Sequence, residues 1–109
     1  NGYLDYMESQ FSQFSKEKYY FGVPAANLTN NIADDLDLKR RKLIKEYNLL
    51  LQKEVLSRGS FFLDVYKLTA NDSGDNNKLY MCDNFHLSPK CLPILFKNYL
   101  YKPWVFIHF

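Results

Sequence analysis

The stretch "SRGSFFLDVY", residues 57–66, decides how this chain folds. Gly59 stands where a helix would stop, in position for the left-handed conformation that closes a last turn. The six residues from Phe61 to Tyr66 are apolar on both faces apart from Asp64. A half-exposed strand alternates apolar with polar, whereas a strand apolar on both faces fits a parallel sheet with helices above and below it. The stretch therefore reads as the end of a helix followed directly by a buried strand.

Working upstream, the pattern predicts a helix over residues 36–57. Leu36, Leu43, Tyr47, Leu50, Leu51 and Val55 recur on one side of it and are expected to face the core. Asp34, Asp35 and Asp37 lie where the positive end of the helix dipole favours them. Lys39, Arg40, Arg41 and Lys42 invite a nucleic-acid reading, but in a helix they spread around most of one turn beside those aspartates, so the run reads as a solvated helix face. Further upstream, "KYYFGVP" (residues 18–24) predicts a strand over residues 19–23 that Pro24 ends. Before it, Tyr3, Met7, Phe11 and Phe14 form the apolar stripe of a helix over residues 3–17.

Downstream, "TANDSGDNNK" (residues 69–78) is rich in turn formers and predicts a loop. Ser88-Pro89 has the form of a helix start, serine as N-cap and proline in the first position. Pro93 delays the regular part to about Leu92, and an apolar stripe of Leu92, Leu95, Phe96, Tyr99 and Leu100 continues until Lys102-Pro103. The apolar tail "WVFIHF" (residues 104–109) is expected to add a strand, cross the core or bury itself in a partner.

The order helix, strand, helix, strand, loop, helix is that of an α/β fold with a parallel sheet. Two strands leave both edges open and too little area to seat three helices. The chain is therefore expected to be one partial domain, residues 1–109, the back half of a larger α/β unit that continues upstream of Asn1, or else to borrow strands from a partner. Apolar residues make up 47% and aromatics 17% of the 109, which excludes a disordered chain. A net charge of +2 is too weak to argue for nucleic acid, and no run approaches the roughly 18 apolar residues of a membrane span.

In parallel α/β sheets, chemistry gathers in the loops beyond the carboxyl ends of the strands. The loop "YMCDNFHLSPKC" (residues 80–91) follows the second strand and holds Asp83 and His86, three residues apart. A carboxylate at that spacing can reach one ring nitrogen, fix the tautomer and steady the imidazolium, leaving the other nitrogen free to take a proton. Asp83 and His86 are thus candidates for the orienting and base members of a Ser-His-Asp triad. A histidine that only caps the next helix or hydrogen-bonds within the loop is the structural alternative. Cys82, Asp83, His86 and Cys91 also form a candidate zinc set, but structural zinc sites pair cysteines in close C-x₂₋₄-C units and these are nine apart. No metal or other cofactor is expected.

From "YYFGVPAAN" through "EYNLLLQKEV" to "RGSFFLDVYKLTAND" and "DNFHLSPKCLPILFKNYL", about residues 19–101, the chain resembles the C-terminal half of SGNH (GDSL-type) hydrolases. These are esterases and lipases with a flavodoxin-like, three-layer α/β/α fold, and their last catalytic block is Asp-x-x-His shortly before the final helix. The resemblance implies that His86 is the general base of an acyl-ester hydrolase and Asp83 its partner. The family's Gly-Asp-Ser nucleophile block and its oxyanion-hole Gly-x-Asn-Asp block do not occur here. Ser9, Ser12, Ser15, Ser57, Ser60, Ser73 and Ser88 all lack the matching neighbours. The serine and the oxyanion donors are expected outside this chain, in the segment that would also supply the missing strands, and these 109 residues alone are expected to be inactive. A non-catalytic α/β module that completes its sheet with a partner is the alternative.

Overall fold

A computed structural model describes residues 2–11, 17–27, 35–83 and 86–103. Helix α1 spans Gly2–Phe11, strand β1 Tyr19–Phe21, helix α2 Asp35–Ser57 and strand β2 Phe61–Leu63. Helix α3 (Val65–Thr69), a 3₁₀ turn (Pro89–Cys91), helix α4 (Leu92–Asn98) and strand β3 (Leu100–Tyr101) complete the order. The sheet runs β1-β2-β3, with β1 parallel to β2 and β3 antiparallel to it. Tyr19 pairs with Phe61, Phe21 with Leu63, and Leu63 in turn with Leu100.

The stretch at 57–66 behaves as expected at its start. Gly59 takes φ +75°, its N–H donates to Leu56 O (3.0 Å), and Ser60 N–H donates to Val55 O (3.1 Å). These paired bonds satisfy carbonyls that the last turn leaves open. Successive residues of β2 then point to opposite faces. Phe62 packs with Leu4, Tyr20, Leu51, Val55 and Leu56 under α1 and α2, while Leu63 packs with Val65, Leu68, Cys91 and Leu95 under α4. Helices therefore cover both faces of β2.

The predicted parallel two-strand sheet is corrected in three ways. The strand predicted over residues 61–66 stops at Leu63, because the Asp64 carboxylate accepts from Lys67 N–H (2.9 Å) and caps α3. The final helix does not run through Leu100. It ends at Asn98, and Asp64 N–H donates to Tyr99 O (2.9 Å), drawing the chain back along β2 as β3. The sheet is thus mixed, a parallel pair with an antiparallel edge, as larger α/β sheets often are. The third correction is on α2. Leu51 and Val55 are buried as expected, but Leu36, Leu43 and Leu50 are 73%, 66% and 56% exposed and Tyr47 is exposed too. The buried face instead holds Asp37, Asn48, Leu51, Val55 and Leu56.

On α1 the buried anchor is Leu4, with Met7 against the same cluster. Tyr3 and Phe11 are exposed, and Phe14 lies outside the described residues, as does the tail from Trp104. The Ser88 cap is found as expected: its side chain accepts from Lys90 N–H, and Cys91 N–H donates to Ser88 O (3.0 Å). Among the described residues, no helix is long and apolar enough to cross a membrane.

Asp64 carries a pH dependence of known sign. Burial pushes its carboxyl above the ordinary range, so the folded chain holds that proton more tightly than the unfolded one. Stability linked to Asp64 is full below its unfolded value and falls as pH rises through its raised folded value. Asn caps a helix as well as Asp does and does not ionise. The Asp64→Asn chain is therefore expected to lose this fall and to be at least as stable near neutrality, as urea unfolding across the acid range will show. Asp5 has the opposite sign, because its hydrogen bond to Arg58 lowers its value and its contribution is lost as pH falls.

Candidate functional site

The carboxyl ends of β1 and β2 are tied together by polar residues from three elements. Asn48 on α2 accepts from Val23 N–H (2.8 Å) and donates to Val23 O (3.1 Å), holding the chain just after β1. Gly22 permits this approach: a Cβ there would stand 2.6 Å from Asn48 Oδ1 and 3.0 Å from the Phe62 ring. Thr69, at the end of α3, accepts from Ala25 N–H (2.9 Å). Asn76 donates through its side chain to Ala25 O (3.0 Å) and through its backbone to Ala26 O (2.9 Å). The loop after β1 is thereby locked to the loop after α3. Asn48 and Thr69 are buried, and sequence reading missed their positioning role. The available signal was Asn48 itself, a polar residue three and seven positions before Leu51 and Val55 on the buried face.

The loop that holds Asp83 and His86 is a closed hairpin. Met81 and Leu87 form an antiparallel bridge, Cys82 N–H donates to His86 O (2.8 Å), and Ser88 N–H donates to Tyr80 O (2.7 Å). Tyr80 and Leu87 pack on the cluster of Leu63, Val65 and Leu95, so the base of the hairpin rests at the end of β2. Asn84 and Phe85 lie outside the described residues.

Within the hairpin the two predicted residues meet. Asp83 Oδ2 is 2.8 Å and Oδ1 3.0 Å from His86 Nδ1, and Oδ1 also accepts from His86 N–H at 2.7 Å. An ionised carboxylate only accepts, so the proton it shares with a neutral imidazole belongs to Nδ1 and the lone pair to Nε2. This is the tautomer a general base needs. The side chains of His86 and Asp83 are 75% and 54% exposed. An exposed pair of this kind contributes little to stability, so the fold does not require it.

No nucleophile joins the pair among the described residues. Ser9 and Ser57 donate to carbonyls on their own helices, Ser73 donates to Asn71, Ser88 caps the 3₁₀ turn and Ser60 is buried beside β2. The cysteines do not form a metal set either. Cys82 is exposed and hydrogen-bonds to Leu87 O (3.1 Å), while Cys91 is buried among Leu63, Val65 and Leu95. Burial pushes the Cys91 thiol above its ordinary value, disfavouring the thiolate that a metal would need. Both are free thiols, and among the described residues no group of three or more His, Cys, Asp or Glu side chains converges. No protein-family model, no curated protein and no solved structure matches this chain.

Proposed function

We propose that this chain is the C-terminal part of an SGNH-type serine hydrolase that cleaves acyl esters. His86 acts as general base and Asp83 orients it. A serine on a segment upstream attacks the ester carbonyl, and His86 Nε2 takes its proton as the C–O bond to the acyl carbon forms. The imidazolium, steadied by Asp83, then returns that proton to the departing alcohol, and water repeats the sequence to release the acid. Oxyanion donors come from the same upstream segment.

The observation that carries this reading is the Asp83–His86 geometry: a base with its tautomer fixed and its side chain exposed, on a hairpin seated at the end of a strand. The open side of the sheet supports the second half of the proposal. Strand β1 is an edge strand, and its Tyr19 and Phe21 are exposed, with Tyr19 stacked on Phe61 at 4.8 Å. Leu36, Leu43 and Leu50, seven residues apart on α2, are exposed as well. An open strand edge accepts another strand, and a leucine stripe at that spacing accepts another helix. The same surfaces favour a second reading, in which a separate partner completes the sheet of a non-catalytic module.

A serine-directed fluorophosphonate applied to the polypeptide that contains this chain separates the two. Labelling of a serine upstream of Asn1 is expected. Absence of labelling in a folded sample removes the hydrolase reading. In the same protein before labelling, Asp83→Asn is expected to lower kcat with KM little changed, by a smaller factor than loss of His86 itself.

A further inference from the structure

The "KRRK" run is more than a solvated helix face. Arg41, Lys42 and Lys45 of α2 line one wall of an open groove of about 390 Å³, and Tyr66, Asp72 and Gly74 belong to the other. That volume is in the range of small-molecule sites, roughly 300–1,000 Å³. Three cations face a single carboxylate there. Lys42 also reaches Glu46, but only at 4.0 Å and with both side chains largely in solvent.

Arg41 is the unusual member. Its Nη1 donates to Ser73 O at 3.2 Å, and its stem lies against Gly74, where a Cβ would stand 3.9 Å from Arg41 Cβ and Cδ. Its Nε is buried and has no acceptor. A buried donor without a partner is costly, and guanidinium groups pair most strongly with planar or tetrahedral oxyanions. The loop opposite is pre-shaped. Asn71 Oδ1 accepts from Ser73 N–H, Ser73 Oγ and Asp75 N–H, and Gly74 sits at φ +85°.

We propose that this groove binds a small molecule through a phosphate or sulfate group, with the Arg41 guanidinium as the central charge and Lys42 and Lys45 as supporting charges. Tyr66 offers an additional phenol donor beside them. The proposal does not depend on the hydrolase reading.

The test is an NMR titration of the isotope-labelled full chain with inorganic phosphate and, separately, with sulfate, at ionic strength fixed by sodium chloride. Saturable shifts of the backbone amides at residues 41–45 and 70–74 are expected, together with a shift of the Arg41 Nε–H signal that screening alone does not produce. Lys45 is exposed, and Lys45→Gln is expected to weaken binding about tenfold, the loss of one charge-assisted contact. Arg41→Lys keeps the charge but removes the planar guanidinium, and it is expected to weaken binding at least as much. Saturation with only one of the two anions supports the site and identifies its ion. Shifts that do not saturate, that chloride reproduces, or that Lys45→Gln leaves unchanged overturn it.

Discussion

On the proposed hydrolase reading, replacing His86 with alanine in the polypeptide that contains this chain is expected to lower kcat/KM for a short acyl ester by at least about a hundredfold, within the ~10²- to 10⁴-fold range of general base catalysis. The loss belongs to the chemical step, because a serine hydroxyl that cannot pass on its proton is a poor nucleophile. The fold is expected to survive. The His86 side chain is 75% exposed, and the bonds that close its hairpin run through backbone atoms, Cys82 N–H to His86 O and Ser88 N–H to Tyr80 O. Alanine keeps both. Ester hydrolysis measured beside a thermal melt gives the answer: an unchanged rate removes His86 from the mechanism, whereas a lost rate with a lost fold would place it in the structure instead.

Phe62→Ala is expected to have the largest effect on stability. Phe62 is 1% exposed at the centre of β2, packed against Leu4, Tyr20, Leu51, Val55 and Leu56 and paired in register between Tyr20 and Tyr101. Truncating a buried phenylalanine removes its transfer energy and leaves a cavity, at a cost of about 3–5 kcal/mol. A domain has only about 5–15 kcal/mol to lose. The variant is expected to unfold at a much lower urea concentration or to populate the unfolded state without denaturant. Leu36→Ala, at an exposed position on α2, is the internal reference in the 109-residue chain and is expected to stay within about 0.5 kcal/mol of the parent. If Leu36→Ala costs as much as Phe62→Ala, the buried face of α2 is wrongly placed.

The candidate pair was fully legible in the sequence. Asp83 and His86 are three residues apart, so a tight turn is enough to join them, and the observed 2.8 Å contact needs only the hairpin that Met81 and Leu87 close. The cationic groove was not legible. The four cations of residues 39–42 look alike in a list, and only the arrival of the loop at residues 71–74 distinguishes Arg41, which lies against Gly74, from Lys39, which is exposed.

The same division holds for the fold. The sequence by itself determined the order of the first four elements, the Gly59 stop, the Ser88 cap and the parallel pairing of β1 with β2 across a helix. Each rests on a few adjacent residues or on a connection whose length and hand leave little choice. The tertiary structure alone decided that β2 ends at Leu63, that Leu100 and Tyr101 leave the last helix to form an antiparallel strand, and that α2 buries Asn48 and Leu56 rather than Leu36 and Leu43. A helix rich in leucine carries more than one apolar stripe at helical spacing, and periodicity cannot choose among them. That choice falls to the neighbours: Leu4 and Phe62 press on one face of α2, while the stripe of Leu36, Leu43 and Leu50 remains exposed.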